Sequence, residues 1–420
     1  MTILIVGGGI GGLASAILLG RLGMSCCVLE RSATFEDVGA GIQLSPNAMR
    51  VLCALGIADT LRPLRCEPNA VTVRHAVSGK EIFSLPLGDA ARHRWGNDYW
   101  VVHRADLVAA MRDAVIQEFP SAIASNAEVV SIAQTETHVI AHLSNGETVE
   151  GHALVGADGL KSVTRAQIVG DGAPRFTGKV AWRALVPRRS EEAGPTSLLH
   201  VGQTTVWAGA GRHVVTYPVR GGALLNVVGV INEADESAES WSRTANPTDF
   251  QDRFATPQFA HRDLRAAIAN SREVYRWPLY DRAPLSKWSD GRIGLLGDAA
   301  HPMLPSMAQG AAMALEDAWV LAAELHQASQ KHPPSLLDLN HAFDRYTAAR
   351  QPRTAAIQRR ATRNLDMFHR SGPVNAGLMY GTLKLVGRIA PALLQRQQDW
   401  IYAYDVTAIH PAPLTVGSQR

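Results

Sequence analysis

A chain of 420 residues is long for one small core and suits two domains. With 46% apolar and 19% charged residues it is globular, not disordered, and its net charge of +3 comes without a basic block that would mark a nucleic-acid surface. The four cysteines, Cys26, Cys27, Cys53 and Cys66, make no C-x-x-C pair and no metal-ligand spacing with histidine, so they read as reduced thiols of a cytoplasmic protein.

The first predicted element, Ile3 to Val6, is an apolar run of the kind that forms a strand buried on both faces. No signal peptide precedes it, and no uncharged apolar run long enough for a membrane span occurs in the chain. Gly7-Gly8-Gly9-Ile10-Gly11-Gly12 follows, with Gly7, Gly9 and Gly12 in G-x-G-x-x-G spacing. Gly7 permits the sharp turn, Gly9 lets a pyrophosphate approach the backbone, and Gly12 lets the next helix pack tightly. That helix runs through Leu19, and its N-terminal N–H groups and dipole face the phosphates. A second strand, Ser25 to Leu29, ends in Glu30, placed to accept a hydrogen bond from a ribose hydroxyl. A tight turn that binds nothing is the plain alternative.

Gly39 to Asn47, which includes Gly41, reads as a glycine-rich loop and Ala48 to Leu55 as a helix. Val71 to His75 and Glu81 to Leu85 flank a Ser78-Gly79 turn; Tyr99 to His103 is a strand and Ala105 to Glu118 a helix. Glu128 to Gln134, His138 to His142 and Glu147 to Leu154 form a meander around the hairpin turn Ser144-Asn145-Gly146. From 178 to about 285 strands dominate: Lys179 to Val186, Thr205 to Ala208, His213 to Pro218 and Ala223 to Val230. Gly209-Ala210-Gly211 precedes a strand and reads as a turn, so there is no second dinucleotide fingerprint. A strand returns at Arg292 to Leu296, and from Ala308 to about 395 the chain is mostly helical. Ala376 to Leu394 is apolar but carries Lys384 and Arg388, which favours an amphipathic packing helix over membrane association. Segments 1–70, 99–177 and 289–345 are expected to build a cofactor domain. Segments 71–98 and 178–288 form a sheet-based substrate domain, and 346–420 a C-terminal helical region.

Two further motifs decide the cofactor. One is Ala153-Leu154-Val155-Gly156-Ala157-Asp158-Gly159, continuing to Arg165; the other is Gly294-Leu295-Leu296-Gly297-Asp298-Ala299-Ala300-His301-Pro302. With the N-terminal fingerprint they resemble, in the same order, the three signatures of the single-component FAD-dependent aromatic hydroxylases, most nearly the salicylate hydroxylase and 3-hydroxybenzoate 6-hydroxylase group. The segments Arg212 to Pro218, Trp277 to Arg282 and Trp400 to Asp405 share the likeness. The resemblance implies an α/β fold with a Rossmann-like FAD-binding domain (para-hydroxybenzoate hydroxylase-like), an inserted β-sheet substrate domain and C-terminal helices. It implies FAD, with NADH or NADPH as a transient cosubstrate, and O2. The family hydroxylates a phenolic aromatic acid through a C4a-hydroperoxyflavin.

The resemblance puts Gly7, Gly9, Gly11, Gly12, Glu30, Arg31, Gly41, Arg104, Asp158, Asp298, Gly310 and Ala311 at the cofactor. Asp298 would bind a ribityl or ribose hydroxyl, and the helix begun by Gly310 and Ala311 would point at the flavin ring. Asp158 would also cap the helix that follows it. His213 is the candidate base that ionises the phenol, and Tyr217, on the same strand face, would orient the substrate hydroxyl. His301 is expected to be structural, and Tyr99 to line the pocket. Arg183 and Arg220 are candidate carboxylate ligands, each with a structural ion pair as alternative. The 6-hydroxynicotinate 3-monooxygenases are also similar, but where they have a proposed histidine base this chain has Gln43, which favours benzenoid phenols. The rivals are hydroxylation of such an N-heterocycle, a flavin reductase or oxidase that yields only peroxide, and an NAD-dependent dehydrogenase. No nucleic-acid or membrane partner is expected, and the chain would act as a monomer or homodimer.

Overall fold

Apolar strand Thr2–Val6 lies inside a six-stranded sheet, between Ala153–Gly156 and Ser25–Leu29, and pairs parallel with both. Ile293–Leu295 extends the parallel array beyond Ala153–Gly156, Ile123–Ala124 extends it beyond Ser25–Leu29, and Ser289–Asp290 is an antiparallel edge. The computed structural model describes residues 1–35, 40–188, 197–199, 202–234, 244–330, 334–368 and 391–411. Helix Ile10–Arg21 is buried along most of its length, packed between this sheet and helix Gly310–Ser329. A Cβ on Gly11 would come within 2.4 Å of Leu296 Cδ2 and 3.3 Å of the Ala314 Cβ, so the close approach of the two helices depends on its absence.

The second large sheet has eight strands. In spatial order they are Thr244–Ala245, Val274–Asp281, Arg175–Pro187, Leu224–Asn232, Arg212–Val219, Gln203–Gly209, Ala70–His75 and Glu81–Pro86. Alternation along these strands separates two faces. Trp182, Trp207 and Val214 point to one and pack on Phe250 and Phe254 from helix Pro247–Phe254, Phe259 from the turn Pro257–Phe259, and Leu264 and Ile268 from helix Arg262–Ala269. Tyr217, Val219 and Val215 point to the other, toward Cys66, Tyr99 and Val101. Between the two large sheets lies a ribbon of Gly41–Leu44 paired with Trp100–His103. Its Leu44, Trp100 and Val102 enter the core of the parallel-sheet side, while Tyr99 and Val101 pack against Tyr217.

Three expectations change. The glycine-rich loop is in part a strand, because Gly41–Leu44 finds a partner distant in sequence. The third meander strand splits: Thr148–Gly151 pairs antiparallel with Val139–Leu143, while Ala153–Gly156 leaves to join the parallel sheet. The strand-rich middle region also contains the two helices that cover the outer face of its sheet. The Gly209-Ala210-Gly211 segment is a hairpin turn, with Gly209 opposite Arg212 and Gly211 at φ +70°. Of the expected helix at Ala376 to Leu394, all but the last few residues lie outside the described residues. Among the described residues no helix is long and apolar enough to cross a membrane.

Candidate active site

The fingerprint turn fits a bound diphosphate. Gly7 has φ +101°, and a Cβ there would lie 2.6 Å from the Ala157 carbonyl oxygen, so the turn rests on the Asp158 segment. A Cβ on Gly12 would meet the Gly7 carbonyl oxygen at 2.0 Å. Gly9, by contrast, has open space where a Cβ would be, as a pyrophosphate at the start of helix Ile10–Arg21 requires. Glu30 accepts the Gly8 and Ser32 backbone N–H groups at 2.7 and 2.9 Å, which fixes its carboxylate at the strand end. Arg31 beside it is exposed and pairs with no described residue.

Asp158 spends both oxygens on the next helix: it accepts the Ser162 hydroxyl on one, and the Thr164 N–H and hydroxyl at 3.0 and 3.1 Å on the other. The same motif ends in Arg165, which is buried. It donates to the Ala299 and Ala300 carbonyls at 3.0 and 2.9 Å and pairs with Asp171. Arg165 therefore ties the segment around Asp158 to the segment around Asp298, and Arg282, at the end of the sheet's Val274–Asp281 strand, reaches the same Asp171 at 2.9 Å.

Asp298 keeps accessible surface, yet protein surrounds it closely enough that burial raises its carboxyl pKa, with Asp317 adding to the rise and His301 and Arg104 opposing it. Arg104 is near it. No described residue donates a hydrogen bond to its carboxylate, which suits a group that receives a ligand hydroxyl. A Cβ on Gly310 would stand 4.0 Å from its Oδ1, so the start of helix Gly310–Ser329 lies beside this carboxylate. Ala311 follows in the first turn, partly open.

That helix is anchored from behind. Gln309 is buried, donating to the Ser45 hydroxyl at 2.9 Å and accepting from Asn47 at 3.2 Å. Glu316 accepts from Asn47 and pairs with Arg350 and Arg353; Asp317 pairs with Arg350 and with His301. Burial alone would raise both carboxyls, but their cationic partners outweigh it and hold both below their usual values. His301 is thus a buried strut between the Asp298 turn and the helix, in keeping with the structural role expected of it.

On the sheet side, Val215, Val228 and Arg183 share one cross-strand row and are all partly open, unlike the buried residues of the opposite face. The Arg183 guanidinium lies 4.0 Å from the centroid of the Trp277 ring. His213 and Tyr217 are buried in the rows on either side, on one face but about 13 Å apart along the strand. The Tyr217 ring lies against Gly41, where a Cβ would meet it at 2.4 Å, and Asn226 across from it accepts the Gly41 N–H at 2.9 Å. Burial pushes the Tyr217 hydroxyl up to about 12, against the opposing pull of Arg183 and Gln43. Arg220 is exposed and its guanidinium pairs with Asp106 at 2.8 Å. Tyr99 is buried on this face and donates to Gln43 Oε1 at 2.6 Å. Sequence reasoning gave no role to Asn226 or Asp171, which no local motif marks, and it noted Trp277 only as the start of a segment that shares the family likeness.

Comparison with known proteins gives consistent answers. A family model described as FAD binding domain matches residues 1–361. The chain is 38% identical over 401 residues to 3-hydroxybenzoate 6-hydroxylase 1 of Aquipseudomonas alcaligenes, covering 95% of this chain and 97% of that one. It is 32% identical to 6-hydroxynicotinate 3-monooxygenase of Bordetella bronchiseptica, over 97% of this chain and 96% of that one. The fold matches that of Klebsiella pneumoniae HpxO, solved with FAD and uric acid, at a TM-score of 0.79 and 24% identity over 93% and 94% of the two chains.

Proposed function

The chain belongs to the FAD-binding-domain family of flavin-dependent aromatic hydroxylases, and from that premise we propose that it hydroxylates a phenolic aromatic acid of the hydroxybenzoate or salicylate type. NADH or NADPH and O2 are the cosubstrates. The observation that carries the substrate class is Arg183: a cation stacked on Trp277, partly open, on the sheet face that it shares with Tyr217. A guanidinium fixed in this way suits a planar carboxylate. Tyr217 then orients the phenolic oxygen, and His213 takes the phenol's proton, since ionisation makes the ring more electron-rich. Bound FAD supplies the redox and oxygen-activating chemistry. The turn at Gly7 to Gly12, Glu30, Asp298, Arg104 and the helix start at Gly310 and Ala311 hold it. The enzyme works in the cytoplasm, where its four free cysteines stay reduced, as a monomer or homodimer.

The test is NADH oxidation and oxygen uptake by the holoprotein with a panel of hydroxybenzoates and hydroxypyridines, with products identified by mass. A hydroxybenzoate that accelerates NADH loss and gains one oxygen atom is the expected result. Acceleration with peroxide as the sole product points to the reductase or oxidase reading. Turnover confined to hydroxypyridines would move the substrate class to N-heterocycles, the chemistry named for the Bordetella relative.

A further inference from the structure

Helix Gly310–Ser329 is entered through a strained turn. Ala308, two residues ahead of it, has φ +51°, a left-handed conformation that glycine adopts freely and alanine does not. Only two other non-glycine residues among those described have positive φ. Such a conformation persists where the surroundings hold it in place. Here it leads into the helix start proposed to hold FAD. The first helical hydrogen bond of that helix runs from the Met313 N–H to the Gln309 carbonyl at 2.9 Å. The N–H groups of Gly310, Ala311 and Ala312 precede it and have no helical acceptor.

What grips the turn is a closed ring of hydrogen-bonded side chains. Gln309 Nε2 donates to the Ser45 hydroxyl at 2.9 Å, that hydroxyl donates to Asn47 Oδ1 at 2.7 Å, and Asn47 Nδ2 donates to Gln309 Oε1 at 3.2 Å. All three residues are buried. The direction of the ring is set from outside. Glu316, ion-paired with Arg350 and Arg353, is a carboxylate that can only accept, and it takes the Asn47 NH2 at 2.7 Å. That turns the Asn47 oxygen to Ser45, draws the one hydroxyl proton there, and leaves the Ser45 oxygen to accept from Gln309. Ser45 also stands at the N-cap of helix Pro46–Ala54, yet its side chain caps no backbone N–H of that helix. Its hydroxyl is committed to the ring instead.

We propose that Ser45, Asn47 and Gln309 are positioning residues whose ring holds the left-handed turn at Ala308, and through it the free N–H groups of the helix start, in the geometry that sets the reduction potential of the bound flavin. This inference rests on the FAD site described above and is independent of the aromatic substrate. Free N–H groups and the positive end of a helix favour the anionic reduced flavin over the neutral oxidised one. Loosening the helix start therefore lowers the potential.

The experiment measures the two-electron midpoint potential of the FAD-loaded protein by equilibration with a reference dye. Ser45→Ala opens the ring and removes no helix cap. It should weaken the preference for reduced over oxidised flavin about tenfold, a fall of about 30 mV for a two-electron couple. Asn47→Leu cuts the links to both Gln309 and Glu316 and should lower the potential further. Adding Ala308→Gly to either variant lets the turn keep its conformation unaided, so most of the lost potential returns, a recovery that a ring serving stability alone would not produce. Ala308→Gly by itself leaves the potential at the wild-type value. Where the Asn47→Leu protein does not retain FAD, Ser45→Ala with and without Ala308→Gly decides the same point. A Ser45→Ala protein at the wild-type potential, or a fall that Ala308→Gly does not recover, overturns the positioning role and leaves the flavoprotein reading intact. A wild-type protein that takes up no FAD brings down that reading, and this inference with it.

Discussion

The two walls of the cleft are made differently. The wall proposed to hold the cofactor is built mostly of backbone, a glycine turn and the starts of two helices, with the Glu30 and Asp298 carboxylates beside them. The sheet wall is built of side chains, with Arg183, Tyr217, Asn226 and Trp277 projecting from four different strands. A backbone wall tolerates little, because each close approach is set by atoms that cannot move aside. A side-chain wall can be retuned one residue at a time, so a family with this fold can share one cofactor while its substrates vary.

The sharpest way to break this comparison is Gly12→Ala. The added Cβ would sit 2.0 Å from a carbonyl oxygen of the turn itself, and overpacking costs about 1–3 kcal/mol even where side chains can adjust. The purified protein should lack flavin colour. Arg350→Met comes next. It leaves Glu316 and Asp317 buried without their shared cation, at a cost of about 3–5 kcal/mol read as a lower Tm. The sign with pH follows from the depressed carboxyls. Their stabilisation is complete above the unfolded carboxyl range, near about 4, and is lost as pH falls through the lower folded values. The wild-type Tm should therefore drop on acidification, and the variant should show a shallower drop.

On the side-chain wall, Arg183→Met should weaken hydroxybenzoate binding by about 10- to 100-fold, the scale of a hydrogen bond to a charged group, without changing flavin content. If flavin is lost as well, the two walls are not separable. The smallest expected effect is that of Asp298→Asn. Burial raises the Asp298 pKa, so its charged form opposes folding at neutral pH, and the penalty vanishes below the unfolded pKa. A neutral amide should raise the Tm of the apoprotein while weakening FAD binding about tenfold. Opposite signs in one variant would show a group kept for its ligand.

The same contrast explains what the chain discloses before it folds. Gly7, Gly9, Gly12 and Glu30 are legible because they act within one strand–turn–helix unit, where spacing along the sequence is spacing in space. Gly41 escapes such reading: its stretch looks like a loop until Trp100–His103 arrives to pair with it. The choice between Arg183 and Arg220 was open in sequence, because only the fold brings Asp106 to Arg220 and Trp277 to Arg183. Gln43 drew notice as a departure from a related pattern, but its bond to Tyr99, 56 residues away, is a product of the ribbon. Residues whose meaning is a distant partner carry no local mark.

Asp171 has one more implication, for anyone who recombines these enzymes. It receives Arg165 from the flavin side and Arg282 from the end of a sheet strand, so it belongs to neither. A chimera that grafts a new sheet onto this cofactor scaffold, cut at the obvious boundary, would separate a carboxylate from one of its two arginines. The transplant would carry over every residue facing the substrate and still lose the joint that aligns them with the flavin.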